Sequence, residues 1–205
     1  MGVENAVTLQ HDRGYAVLPD GTRIIATRKR VRRTASEVAV HEARHAVTEE
    51  LAGRTYVLYV TRVPGEGYLG LTVFADVPSA AAMAAPKALG SGGTGGDEEQ
   101  LVAAGHSIAS AESDARRILS GAEAEIMVME VAAALDRSGT LSGQDVRTIL
   151  ADVQKGEEVE ILIVLPNGNG ASRSHHRAKY GRDNITIVDL PKIYSEQDWA
   201  PILNN

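Results

Sequence analysis

The sequence lacks cysteine altogether and contains few aromatic residues. Among its 205 residues there is no Cys, one Trp and one Phe, and aromatic residues make up only 4%. The lack of thiols excludes disulfide bridges, thiolate zinc sites and a cysteine nucleophile, and it is typical of a reducing compartment. The hydrophobic share of 43% still allows a proper core, which must be built from Ala, Val, Leu and Ile.

Long hydrophobic runs are also missing. The longest run of Ile, Leu and Val, at residues 161–165, has the length of a strand, and no apolar run approaches the roughly 20 residues that span a bilayer. The first residues lack the basic start and apolar run of a secretory signal. We therefore expect a cytoplasmic protein, or a component of a particle assembled there, that does not contact a membrane.

The charge is negative but unevenly distributed. The formal net charge is -6, yet residues 1–33 are basic and residues 34–165 are acidic. An acidic domain does not generally attract nucleic acid. The basic run at residues 28–33 contains no aromatic residues that could stack on bases, and it is predicted to be a solvated connector. A nucleic-acid role for the basic segment at residues 173–182 is a weaker alternative.

Turn signals divide the chain into three predicted parts. Residues 1–33 hold two β-prone runs around a Pro-Asp-Gly-Thr turn, which predict a hairpin, and the basic connector. Residues 34–155 form the main domain. Residues 156–205 are predicted to hold two strands, an irregular tail and, at residues 167–183, a loop that carries His175 and His176.

The main domain is predicted to combine helices with a small sheet. Strands are expected at residues 56–63 and 68–74 because both are rich in β-branched and aromatic residues. The Ala/Gly/Ser-rich segment at about residues 78–97 is predicted to be a flexible loop or linker. Helices are expected at residues 34–52, 110–135 and 142–154. The first has a capping box formed by Thr34 and Glu37 and ends at Gly53.

The first of these helices carries the chemical motif. His41, Glu42 and His45 form an H-E-x-x-H sequence, and residues four apart lie on one helix face, one turn apart. Two such imidazoles can bind one Zn²⁺, and the Glu beside them can act as general base on a metal-bound water. Arg44 puts a charge in the middle of the motif, and its side chain must point away from the metal or pair with an acid.

Zinc also needs a third protein ligand. The longer motif with a third histidine is absent, because Thr48 stands where its glycine would be. The residues alone leave His106, His175, His176 and an unidentified acid as candidates.

The order of the motifs resembles the peptidase domain of the FtsH-type AAA proteases. That family has V-A-x-H-E-A-G-H-A, where this chain has VAVHEARHA at residues 38–46. The family's L-G-Y-T, G-G-R-A-A-E-E and T-G-A-x-x-D-L-x-x-A-T blocks are similar to YLGLT at residues 68–72, SGAEAE at residues 120–125 and GTLSGQDVRT at residues 139–148. The resemblance covers about residues 34–155. It departs from the family at Arg44, in the Gly/Ser segment and in the lack of a P-loop motif and membrane anchor.

The resemblance implies an α+β fold with a mainly helical, zincin-like metallopeptidase core and a small β-sheet, extended by the N-terminal hairpin and the C-terminal strands. It implies His41, His45 and Asp145 as Zn²⁺ ligands and Glu42 as the base of an endopeptidase acting on polypeptides. Because the sequence lacks a P-loop motif, we expect this endopeptidase to be ATP-independent. For Asp145 a structural role is the alternative, because Ser142 and Asp145 also fit a capping box. For the whole protein the alternative is a non-catalytic structural or assembly component, for example of a phage or mobile element, that retains the peptidase fold. In either case a homo-oligomer or a larger protein assembly is a further candidate partner arrangement.

Overall fold

A computed structural model describes residues 7–10, 15–17, 23–27, 34–91, 95–164, 171–180 and 184–187. The chain forms two compact units, of which one is Arg32–Val153 and the other combines the two ends, Met1–Val31 and Gln154–Asn205. The basic run at residues 28–33 and the tail from residue 191 lie outside the described residues. No helix in the described part has both the length and the apolar composition needed to cross a membrane.

The described elements are nine strands and six helices. The strands are β1 (Val7–Gln10), β2 (Tyr15–Val17), β3 (Arg23–Thr27), β4 (Val57–Thr61), β5 (Leu71–Phe74), β6 (Thr140–Ser142), β7 (Glu157–Val164), β8 (Ala171–Tyr180) and β9 (Asn184–Ile187). The helices are α1 (Glu37–Ala52), α2 (Ala80–Ala88), α3 (Gly95–Ala103), α4 (Ile108–Ile118), α5 (Ala122–Ser138) and α6 (Gly143–Lys155). The α+β class is therefore confirmed.

The unit made from the chain ends is a closed antiparallel barrel with the strand order β1-β2-β3-β7-β8-β9. The predicted N-terminal hairpin is confirmed as the β2–β3 pair, in which Ala16 lies opposite Ile24. The predicted loop at residues 167–183 is wrong over β8, whose residues 171–178 pair with β7. The polar sequence of β8 hides this strand, because pairing with an apolar neighbour overrides a low intrinsic preference.

The N-cap of helix α1 lies two residues later than the sequence predicts. Its N-cap is Ser36, whose Oγ accepts a hydrogen bond from the Ala39 amide at 3.3 Å. The Ser36 amide and hydroxyl in turn donate to the carboxylate of Asp136 at 2.6 and 2.7 Å. This contact from α5 selects Ser36 over Thr34 as the cap. The end of the helix is confirmed at Gly53, whose φ of 67° lies in the left-handed region that glycine favours.

Two predictions about the middle of the chain are wrong. The single helix at residues 110–135 is two helices, α4 and α5, because Gly121 is extended (φ -86°, ψ 148°) and serves as the N-cap of α5. The segment at about residues 78–97 is not a continuous loop, since α2 and the start of α3 fall in it, while residues 92–94 lie outside the described residues. The alanine run accounts for α2, because alanine has the highest helix propensity.

The core of the main unit is made of small aliphatic residues. Ala39, Ala43 and Ala46 on α1 are fully buried and belong to one cluster with Val131 and Leu135 of α5. Small side chains let the two helices approach closely. Beside them lies a three-stranded antiparallel sheet with the order β5-β4-β6, in which β5 occupies an edge.

Candidate metal centre

His41 and His45 lie on one face of α1, as their spacing predicts. Their Nε2 atoms are 3.2 Å apart, and their ring centroids are separated by 4.9 Å with the planes at 71°. His45 is buried and His41 is partly exposed. The two imidazoles therefore converge on one point at the surface of the helix.

Asp97 is the third member of this group. Its Oδ2 lies 3.4 Å from Nε2 of both His41 and His45. Within the described residues, His41, His45 and Asp97 are the group whose potential ligand atoms lie within 4.8 Å of one another and could hold a metal ion. Asp97 is in the first turn of α3, directly after the glycine-rich segment. Asp97 cannot be identified from the sequence, because the glycine-rich segment before it is typical of a flexible linker.

Asp145 lies at the start of α6 and is not a member of this group. Its carboxylate accepts hydrogen bonds from the Ser142 amide at 2.9 Å and the Ser142 hydroxyl at 2.7 Å. The Asp145 amide returns a bond of 3.2 Å to that hydroxyl. These bonds hold the pKa of Asp145 below its ordinary value. They form the capping box that was the alternative interpretation, so the ligand role has no support from this geometry.

Of the three histidines that the sequence offers as a third ligand, the structure describes the side chain of His106 alone. His106 follows the end of α3 and is not a member of the His41, His45 and Asp97 group. His175 and His176 are in β8, and their side chains lie outside the described part of the structure.

The three donor atoms fit the spacing that zinc requires. In a tetrahedral site with bonds of about 2.0–2.1 Å, neighbouring donor atoms are separated by about 3.3–3.4 Å. The sides of the observed triangle are 3.2, 3.4 and 3.4 Å. Two imidazoles and one carboxylate are a ligand set typical of catalytic zinc, which leaves a fourth position for water.

The imidazole of His45 is oriented by the backbone of α2. Its Nδ1 lies 2.7 Å from the carbonyl oxygen of Ala82. A carbonyl can only accept, so Nδ1 carries the proton, and in the neutral ring Nε2 keeps its lone pair for a metal. Burial lowers the pKa of His45, but the hydrogen bond and charge of Asp97 outweigh burial and raise it overall.

The lowered pKa of Asp97 is also compatible with metal binding. Partial burial by itself raises its pKa, but hydrogen bonding and charge from His41 and His45 hold the pKa well below its usual range. The carboxylate is therefore ionised and directed at the two imidazoles. A divalent cation bound between these donor atoms would supply a positive charge that also favours the ionised carboxylate.

Glu42 lies beside the group and is nearly buried, with 5% of its surface exposed. Its Oε2 accepts a hydrogen bond of 2.7 Å from the hydroxyl of Thr72 on β5. Burial raises the pKa of Glu42, and the charge of His45 and the Thr72 bond oppose that effect. The backbone at Gly70 also packs against it, since an added Cβ there would be 2.8 Å from Cγ and Oε1 of Glu42. Glu42 is thus fixed by the strand that borders the site.

These residues line one cleft of about 950 Å³. His41, Glu42, His45 and Asp97 are among its polar residues, and apolar side chains such as Leu71 and Met83 also line it. The cleft is open to solvent.

Arg44 points away from this cleft. Its side chain is partly buried, and its Nη1 donates to the hydroxyl of Ser91, which follows α2. Arg44 is not among the described residues that line the cleft. The side chain of Arg44 is therefore directed away from the cleft that His41 and His45 line.

Comparison with protein-family models, curated proteins and solved structures gives no match to this chain. The resemblance to the FtsH-type peptidase domain therefore stays a prediction based on the motif residues. The same is true of the zincin-like identity of the core. The local geometry around His41, Glu42, His45 and Asp97 is the observation from which function must be argued.

Proposed function

We propose that this chain is an ATP-independent zinc metalloendopeptidase with His41, His45 and Asp97 as metal ligands. The observation that carries the proposal is the triangle of donor atoms with sides of 3.2, 3.4 and 3.4 Å, with Glu42 beside it in one cleft. The proposal keeps the two histidine ligands and the base expected from the sequence and replaces Asp145 with Asp97.

Zinc bound at this site would polarise a peptide carbonyl and lower the pKa of a water molecule. Glu42 would take the proton from that water and deliver it to the leaving amine. Its raised pKa suits both steps, because a stronger base accepts a proton more readily and the resulting acid lies closer to neutrality. Thr72 holds the carboxylate in place throughout.

The substrate is proposed to be an extended, exposed segment of polypeptide. Strand β5 is an edge strand of its sheet, and its residues Leu71 and Thr72 line the cleft. An extended peptide can add to such an edge through main-chain hydrogen bonds, which provide affinity without a strict sequence requirement. None of the residues in the site calls for a nucleotide, so hydrolysis itself would need no ATP.

Zinc analysis combined with casein cleavage tests the proposal. We expect one zinc per chain in the wild type and in Glu42→Gln, with cleavage lost only in the variant. Glu123→Gln is the matched control, because Glu123 is exposed in the first turn of α5. A purified wild type that takes up no zinc, or equal cleavage by wild type and Glu42→Gln, would overturn it.

A non-catalytic assembly role remains the second candidate. This alternative predicts that the purified wild type takes up no zinc. The orientation of Arg44 toward Ser91 supports the catalytic proposal instead, because it leaves the cleft free of that cation.

A further inference from the structure

Helix α2 contains a proline at a position where proline normally disrupts a helix. Pro86 is buried and lies inside α2. In an α-helix the amide of residue i donates to the carbonyl of residue i-4, so the amide of residue 86 would donate to Ala82. Proline has no N–H, and its ring pushes against the carbonyl of residue i-4. The carbonyl of Ala82 therefore lacks this helical partner.

That same carbonyl is the one that holds His45. The Nδ1 of His45 lies 2.7 Å from Ala82 O, and Ala82 is fully buried. A buried carbonyl without a partner is costly, and the imidazole N–H removes that cost. The proline and the histidine are thus matched: one leaves an acceptor open, and the other fills it.

A second residue fixes the turn that carries this carbonyl. Glu49 is one turn after His45 on α1 and is fully buried. Its carboxylate accepts hydrogen bonds from the Ser79 amide at 2.7 Å and the Thr55 amide at 2.9 Å. Ser79 is the N-cap of α2, and its hydroxyl accepts from the Ala82 amide at 3.1 Å.

Glu49 therefore takes the place of the acidic residue in a capping box. In that motif a Glu three residues after the cap bonds back to the cap's amide. Here that position holds Ala82, and the carboxylate comes from α1 instead. Its negative charge also lies at the positive end of the α2 dipole.

We infer that α2 is a dedicated orienting element for His45, in which Pro86 leaves the Ala82 carbonyl free to accept the Nδ1 proton and Glu49 fixes the turn that bears it. Pro86 and Glu49 are positioning residues that act through His45. Their effect is to keep the proton on Nδ1 and the lone pair on Nε2. The expected change in zinc affinity rests on the proposed function. The expected tautomer of His45 does not depend on it.

Pro86→Ala is the decisive variant. Alanine is a far better helix former than proline, so the variant should fold, but its new amide competes for the Ala82 carbonyl. We expect zinc affinity, measured by competition with a chelator, to fall by about 10- to 100-fold. In metal-free protein at alkaline pH, ring ¹⁵N spectra should show the Nδ1–H tautomer of His45 in the wild type and a mixture in the variant.

A matched control separates the N–H from the ring. Replacing Pro86 with lactate gives the methyl group of alanine but an ester in place of the amide, so no N–H is present. This protein should keep the wild-type tautomer and zinc affinity. Glu49→Gln should lower zinc affinity through a loosened α2, with Glu123→Gln as the exposed control that leaves affinity unchanged.

Two results would overturn the inference. One is an unchanged His45 tautomer in Pro86→Ala, and the other is an equal loss of zinc affinity in the alanine and lactate proteins. A wild type that binds no zinc would remove the proposed function, but the tautomer comparison in metal-free protein would still decide the role of Pro86.

Discussion

The hydroxyl of Thr72 lies 2.7 Å from Oε2 of Glu42 and also 3.2 Å from the Glu42 carbonyl oxygen. A single hydroxyl on an edge strand thereby ties both the side chain and the backbone of the proposed base to the sheet. The base is positioned from across the cleft, by β5, in addition to its own helix.

Thr72→Val should reduce cleavage without removing zinc. Valine has the shape of threonine but cannot donate to Glu42, and hydrogen bonds to charged groups contribute about 1.5–3 kcal/mol. We expect kcat on casein to fall about ten-fold or more, with zinc content unchanged. Thr72→Ser keeps the hydroxyl and should retain most of the activity. Full activity in Thr72→Val would show that the contact does not position the base.

Asp97→Ala and Asp145→Ala form a matched pair that identifies the third ligand. Removal of Asp97 takes away one of three donor atoms, so we expect zinc to be lost on dialysis against a weak chelator. Removal of Asp145 breaks only the capping box with Ser142, so zinc content should persist. The reverse pattern would restore the ligand assignment that the family resemblance implies.

Arg44→Ala should leave zinc content and casein cleavage close to wild type. The Arg44 guanidinium contacts Ser91 outside the cleft, so removal of the side chain costs only this contact. Partial burial lowers the pKa of Arg44. Thermal unfolding checks that the variant remains folded. A large gain in cleavage would instead indicate that Arg44 inhibits the site.

Asp136→Asn should destabilise the main unit in a pH-dependent way. Burial raises the pKa of Asp136, but bonds from Ser36 and the charge of Arg62 outweigh it and lower the pKa overall. Because the folded-state pKa is depressed, this stabilisation is present above the unfolded value, near 3.8, and is lost as the pH falls through the folded value.

Chemical denaturation should therefore show a difference of about 1 kcal/mol between wild type and Asp136→Asn at pH 7. The difference should shrink toward zero in acid. Asp114→Asn is the control, because Asp114 forms an exposed pair with Arg117 that should contribute little. A difference that does not change with pH would contradict the assignment to the Asp136 charge.

The local parts of the site could be predicted from the sequence, and the distant parts could not. The helix that bears His41 and His45 follows from spacing and from Gly53. Asp97 is far along the chain from both histidines, and no spacing rule connects it to them. Its glycine-rich flank is typical of a linker, which conceals a helix start. The barrel is equally hidden, because it depends on pairing between the two chain ends.

Pro86 illustrates the same limit in a different way. A proline within an alanine run signals a broken helix, and only the packed structure shows that the buried Ala82 carbonyl meets His45. Elements with clear local signals, such as α1 and the β2–β3 hairpin, could be predicted, whereas the partners of each buried polar group could not. Thr72 and Glu49 belong to this second class.

The position of Asp97 has a consequence for a chain without disulfides. A metal held by His45 and Asp97 would cross-link two residues that are about fifty positions apart. A cross-link that closes a loop of that length lowers the entropy of the unfolded chain and contributes about 4 kcal/mol by a chain-entropy estimate. Under the proposed function, the same zinc ion would serve both as the catalytic metal and as a reversible cross-link of this domain, so that removal of zinc would lower the stability of the fold as well as the activity.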